Sequence, residues 1–269
     1  MQISILGCGW LGLPLAQSLI NKGFLVNGST TSTEKTEVLK AKGIHPFLIS
    51  LTANGINGDI ENFLRNSEIL IIDIPPKLRD ENSESFTDKI KKLIPYIEAS
   101  GIQKVMFVSS TAVYADDNSV VTEDTTPNPE TESGKQLVEA ETLLANTRFK
   151  TTVLRFGGLV GEDRQPVKYL AGKVNLENPD GPVNLIHQKD CIGIIQKIIE
   201  KESWGEIFNG VAPYHPTREE HYTKKAAALG LSLPVFSHEK PSLGKTVSGD
   251  KVEKKLGYVF DVNKVWKPL

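Results

Sequence analysis

The residues best placed to do chemistry stand at the start of the chain. Gln2-Ile3-Ser4-Ile5-Leu6 is a short apolar run, Gly7-Cys8-Gly9-Trp10-Leu11-Gly12 follows, and residues 13–22 carry a helical pattern. Three glycines spaced this way between a strand and a helix suit a diphosphate. Gly7 permits a tight turn out of the strand. Gly9 has no Cβ, so its backbone can approach a phosphate. Gly12 lets the helix pack close to the sheet. The helix start then presents free N–H groups and the positive end of its dipole to an anion. Phe24-Leu25-Val26 reads as a second parallel strand. The opening thus predicts a dinucleotide-binding βαβ unit, with Gly7, Gly9, Trp10, Leu11 and Gly12 around the diphosphate.

Beyond that second strand the chemistry turns to hydroxyls. An acid about 20 residues past the glycines would hold a ribose 2′-OH and reject a 2′-phosphate. The sequence there reads Asn27-Gly28-Ser29-Thr30-Thr31-Ser32-Thr33, and its first acid is Glu34, followed by Lys35. Ser29, Thr30, Thr31 and Ser32 could donate to a 2′-phosphate and Lys35 could add charge, so NADP is expected ahead of NAD. Ser32 or Thr33 before Glu34 is also a helix-capping pattern, and both roles can coexist. Asp73, ahead of Ile74-Pro75-Pro76, ends another apolar run and is a further candidate contact, with Ile74 and Pro75, unless it merely closes its strand.

These groups need a frame. Apolar runs at 2–6, 24–28, 46–50, 68–74, 104–109, 151–155 and 206–209 alternate with helical patterns at 11–22, 33–42, 57–65, 85–99, 132–145, 189–201 and 217–229. Several runs are apolar nearly throughout, as parallel strands buried on both faces are. The alternation predicts an α/β fold, a Rossmann-type doubly wound parallel sheet. Residues 1–155 would form the core, completed by 183–210. The glycine- and proline-punctuated stretch 156–182 and residues 211–269 would form a small irregular substrate lobe.

Composition narrows the class. The 269 residues are 39% hydrophobic and 24% charged, with a net charge of −2. No bulk electrostatic pull on nucleic acid is expected, and no window is apolar enough for a membrane span. A first strand beginning at Gln2 leaves no signal or transit peptide to expect, and Cys8 and Cys191 read as small buried residues of a reduced, cytoplasmic protein. No metal-ligand spacing is present.

The segment Lys104-Val105-Met106-Phe107-Val108-Ser109-Ser110-Thr111-Ala112-Val113-Tyr114 resembles strand five of the extended short-chain dehydrogenases/reductases, the NAD-dependent epimerase/dehydratase family. Glu123 to Pro129 is similar to that family's acidic-proline loop, Gly134-Lys135-Gln136-Leu137-Val138-Glu139 to its catalytic helix, and Val183 to Asp190 to its later Ile-His-x-x-Asp segment. The resemblance runs in order over residues 1–260. It implies a catalytic hydroxyl at Ser110, a lysine at Lys135 that holds the nicotinamide ribose, and a tyrosine four residues earlier. That slot holds Thr131. A phenol starts near pKa ~10, and an aliphatic hydroxyl starts far higher, so Thr131 is no useful proton donor or base. The resemblance is therefore to an atypical branch. The glycine motif also departs from the family's GxxGxxG.

Tyr114 would be structural and His187 a satisfied, partly buried histidine. Tyr214, His215 and His221 could line a cleft. Arg155, Arg164 and Lys168 could reach an anionic substrate, although surface charge is the default for each. The expected function is an NAD(P)-dependent oxidoreductase or epimerase-like enzyme acting on a small carbonyl or sugar-type molecule, nucleotide sugars included, as a monomer or homodimer. Two rivals stand beside it. One is a catalytically inactive NAD(P)-binding sensor or scaffold. The other is a β-hydroxyacid-type dehydrogenase, whose opening the glycine turn also resembles, although the strand-rich middle argues against the all-helical second domain that group needs.

Overall fold

All seven apolar runs become strands of one parallel sheet in the computed structural model, which describes residues 1–78 and 83–261. They are β1 (Gln2–Leu6), β2 (Leu25–Thr30), β3 (His45–Leu48), β4 (Ile69–Ile72), β5 (Lys104–Ser110), β6 (Lys150–Phe156) and β7 (Ile207–Gly210). Their order across the sheet is β3-β2-β1-β4-β5-β6-β7, and every neighbouring pair is parallel. The order reverses between β1 and β4, and this switch point opens a crevice at the carboxyl ends of those strands.

Alternation along each strand explains the near-continuous apolar runs. In β4, Ile69 and Ile71 enter one core layer while Leu70 and Ile72 enter the other; in β5, Met106 opposes Val105 and Phe107. The first layer is closed by α1 (Gly12–Ile20) and α2 (Thr33–Ala41). The second is closed by α3 (Ile60–Leu64), α4 (Phe86–Ser100) and α5 (Glu132–Ala145). After β6 come the short α6 (Val167–Leu170), then α7 (Gln188–Glu200), which packs on α1, and α8 (Arg218–Ala228).

Two features depart from the expectation. The tail is not uniformly irregular: α9 (Asp250–Leu256) packs on α7 and β7, and Val252, Leu256 and Phe260 enter the core. Gly257, left-handed at φ 63°, ends this helix, which is the glycine stop that helices favour. Residues 158–160 and 185–187 also pair as a small parallel ribbon beside the main sheet. Residues 262–269 of the expected lobe lie outside the described residues. Among the described residues no helix is long and apolar enough to cross a membrane.

Candidate functional site

The glycine turn occupies the switch-point crevice, and its shape is dictated by β4. Gly7 has φ +108°, and a Cβ there would lie 2.2 Å from the Asp73 carbonyl oxygen. A Cβ on Gly12 would lie 2.2 Å from the Gly7 carbonyl oxygen and 3.1 Å from Asp73 Oδ2. Around Gly9, by contrast, no described atom comes within 4 Å of an added Cβ. Two glycines are therefore required by the protein itself, while the third faces open space where a ligand could sit.

The turn is pinned from β2. The Gly7 amide donates to Ser29 Oγ at 2.9 Å and the Cys8 amide to the Ser29 carbonyl at 2.8 Å. Ser29 is buried beneath the loop, so it holds the turn and does not meet a 2′-phosphate as its sequence position suggested. The signal was a hydroxyl inside an otherwise closed strand. Trp10 turns outward. Its indole Nε1 donates to Asp163 Oδ1 at 2.8 Å, the Arg164 guanidinium lies 5.1 Å from its ring centroid, and Gln188 Nε2 donates to its carbonyl at 2.6 Å. Leu11 is buried in the core. Both residues thus offer only backbone amides to the crevice, and among the described residues neither amide has an acceptor.

Asp73 completes the crevice. Its carboxyl accepts from the Gly12 amide, yet burial pushes its pKa from the ordinary 3.8 up to about 7. The residue is open along one edge but otherwise enclosed by the loop. Because the folded protein holds this proton more tightly than the unfolded chain does, the proton's contribution to stability is present at low pH and is lost as pH rises toward about 7. Burial also pushes the Cys8 thiol up to about 12, and the Asp73 charge adds to that shift. Ile74 packs on Gly7, and Pro75 is exposed.

At the end of β2 two of the expected hydroxyls are engaged locally. Thr30 Oγ1 accepts from the Ser32 amide at 3.2 Å, and the Ser32 hydroxyl donates to Glu34. That bond holds the exposed Glu34 carboxyl below its ordinary range. Thr31 and Lys35 are exposed.

Further along the same sheet edge, β5 ends at Ser110. Its Oγ accepts from the Ala112 amide at 3.1 Å, which leaves its own proton to donate. The turn at 111–113 packs against α5. Thr131 is the N-cap of that helix and accepts from the Gly134 amide at 3.1 Å. Lys135, one turn on, is exposed. Removing this cap by Thr131→Ala is expected to lower stability by about 1 kcal/mol while leaving ligand affinity unchanged, a result that thermal melts and a ligand titration read separately.

Arg155 corrects the sequence reading. It is neither a surface charge nor a substrate contact. It is buried, its Nη2 lies 2.6 Å from Glu141 Oε2, and its Nη1 donates to the Tyr114 hydroxyl at 2.8 Å. That hydroxyl donates to Asn209 Oδ1 at 2.9 Å, and burial raises the pKa of the phenol. Tyr114 is structural. His187 caps α7, its Nδ1 accepting from the Lys189 amide.

Behind Trp10 a small cavity of about 30 Å³ opens between the loop at 160–167 and α8. Arg164, Gln165, His187, His221, Tyr222 and Lys225 are among its walls. Gln165 Oε1 is buried there without a hydrogen-bond partner among the described residues. Tyr214 is exposed and His215 bonds to the Val183 carbonyl.

Comparison with known proteins places this geometry. No protein-family model matches the chain. The fold is shared with short-chain dehydrogenase/reductase and epimerase structures. A Methylobacillus flagellatus protein described as a candidate NAD-dependent epimerase/dehydratase is 25% identical, with TM-score 0.74 over 97% of this chain and 93% of the other. UDP-glucuronic acid 4-epimerase from Bacillus cereus, solved with NAD, is 18% identical, with TM-score 0.79 over 96% and 91%. In sequence, Protein YeeZ of Escherichia coli K12 is 34% identical over 262 residues, covering 96% of this chain and 95% of YeeZ. With that identity sustained along nearly the whole of both chains, the protein belongs to the YeeZ family.

Proposed function

We propose that the chain binds a nicotinamide coenzyme at the glycine turn and acts as an oxidoreductase or epimerase-like enzyme on a small carbonyl or sugar-type substrate. The observation that carries this reading is the cradle at the switch point: free Trp10 and Leu11 amides, open space at Gly9, and a turn that Gly7 and Gly12 hold tight against β4. The neighbours solved with NAD support the same class of ligand. Bound there, the coenzyme supplies a hydride donor or acceptor.

Ser110 would donate to the oxygen of the reacting carbon, and Lys135 would hold the nicotinamide ribose. Thr131, an aliphatic hydroxyl of far higher pKa than a phenol, would not move the proton, which the substrate or water carries. Residues 1–155 with 183–210 would be the coenzyme-binding core and the remainder the substrate lobe.

Glu34 bears on the choice of coenzyme. Its carboxylate, tied to Ser32, favours a ribose 2′-OH over a 2′-phosphate and so shifts the preference toward NAD from the NADP expected of the hydroxyl-rich sequence. Fluorescence titration tests the reading. NADH is expected to bind at least about tenfold tighter than NADPH. Failure of both at millimolar supply would overturn the coenzyme assignment.

One observation favours a second reading, a coenzyme-binding protein without turnover. The tyrosine slot is a helix cap, and the nearby phenol of Tyr114 is locked by Arg155 and Asn209. Retained NADH binding with no hydride transfer to or from UDP-glucose or UDP-glucuronate, and transfer gained in Thr131→Tyr, would establish that alternative.

A further inference from the structure

The helix that follows the glycine turn starts without a cap of its own. Leu11 holds the N-cap position of α1 and offers no side-chain acceptor, and no acid stands in the first turn. A capping motif ordinarily fixes the angle at which the chain enters a helix. Asp73 takes the Gly12 amide from β4, which leaves the Trp10 and Leu11 amides to be aimed by something else.

The grip on Trp10 aims them, and it comes entirely from beyond β6. Asp163 Oδ1 accepts from the indole Nε1 at 2.8 Å, and the Gln188 side chain donates to the Trp10 carbonyl at 2.6 Å. Gly161 closes on the ring edge: a Cβ there would lie 2.8 Å from indole Cζ2. Arg164 stands over the ring, 5.1 Å from its centroid. The gripping loop is itself tied shut, the Gly161 amide donating to the Arg164 carbonyl at 3.0 Å and the Arg164 amide to the Gly161 carbonyl at 3.2 Å. The Trp10 carbonyl and the Leu11 N–H belong to one planar peptide group. Holding the indole and that carbonyl therefore fixes the directions of both free amides.

We propose that Asp163 is a positioning residue for the coenzyme site, acting through the Trp10 indole: the loop at 161–164 aims the Trp10 and Leu11 amides at the diphosphate, and an occupied cradle tightens the loop in return. The proposal rests on the coenzyme reading above. The return effect is required, because a coupling free energy between two sites acts equally in both directions. Gly161 and Arg164 also wall the cavity that faces α8, so the effect of the coenzyme reaches the lobe.

The sign of one substitution separates positioning from charge. Asp163 is an exposed acid, and if only its charge mattered, removing it would tighten the binding of an anion. Asp163→Ala is expected instead to weaken NADH binding by about fivefold or more. Asp163→Asn, which keeps an acceptor for the indole, should bind as the wild type does. Trp10→Phe, which loses the Nε1 donor, should show the alanine variant's loss, and adding Asp163→Ala to it should weaken binding no further. Gly161→Ala, which drives a Cβ into the indole, should weaken NADH binding as well. Hydrogen exchange at the Gly161 and Arg164 amides should slow when NADH binds the wild type and not when it binds Trp10→Phe. Because Asp163 is exposed, melts of its variants should match the wild type. Unchanged or tighter binding by Asp163→Ala, losses that add in the double variant, or loop exchange indifferent to NADH overturns the proposal while leaving the coenzyme site standing. Absence of NADH binding by the wild type removes the coenzyme reading and this proposal with it.

Discussion

Arg155→Met is expected to destabilise the fold by about 3–5 kcal/mol, because it strands a buried carboxylate. Glu141 and Arg155 are 6% and 2% exposed, so neither charge can turn to water when its partner is lost. Glu141 Oε1 also accepts from Ser109 Oγ at 2.6 Å, and Arg155 Nε donates to both Glu141 oxygens at 3.2 Å. The chain of bonds runs on through Tyr114 to Asn209, whose backbone N–H donates to Glu123 Oε1 at 2.8 Å. It thereby ties α5 to β5, β6 and β7 beneath the end of β5 where Ser110 stands. Arg155 stays charged: burial pulls its pKa down, but Glu141 and Tyr114 more than offset this and hold it above its ordinary value. At this chain size the loss corresponds to a fall in Tm of roughly 10 °C.

The double variant Glu141→Leu with Arg155→Met should recover most of that loss, because replacing a buried ion pair by apolar groups of similar volume is often neutral. Denaturant unfolding of the two singles and the double gives the coupling. Single variants within about 0.5 kcal/mol of wild type would mean that the pair is far better hydrated than its enclosure indicates.

That pair marks where the sequence stopped being legible. The seven strands could be read because parallel strands closed on both faces become apolar runs, and each run landed on the sheet. Arg155 ends one of them, Thr151-Thr152-Val153-Leu154-Arg155, and the strand runs on to Phe156. A charge in a closed strand must be paired, but no spacing rule joins a strand residue to Glu141 on the preceding helix. The surface default was the wrong physical choice for a residue in that run. Ser29 failed for the same reason: its contact with the Gly7 amide is made across two parallel strands, 22 residues apart in sequence. Thr131 was legible in part. The sequence showed that no phenol stood four residues before Lys135, and its polar, acid-flanked context carried the signature of a helix start. What the hydroxyl does there, capping the Gly134 amide, needed the backbone path. The cavity behind Trp10 was not legible, because it joins the loop at 160–167 to α8 across more than fifty residues.

The glycine turn allows the most discriminating experiment, because its glycines serve different masters. Gly12→Ala forces a Cβ to within 2.2 Å of the Gly7 carbonyl and 3.1 Å of the Asp73 carboxyl. Backbone must shift, α1 must move off the turn, and overpacking of this kind destabilises by about 1–3 kcal/mol. Coenzyme affinity should fall at least about a hundredfold, equivalent to about 2.7 kcal/mol, because the Trp10 and Leu11 amides move with the helix. Gly9→Ala meets no described atom within 4 Å, so the free protein should unfold within about 0.5 kcal/mol of wild type. Yet its methyl group enters the space the diphosphate needs, and affinity for NADH should still drop by about tenfold or more. A stability effect without an affinity effect at Gly9, or neither, would show that the open face of the turn does not receive the coenzyme. Loss of affinity at Gly9 with the fold intact is the one pattern that a purely structural glycine turn cannot produce.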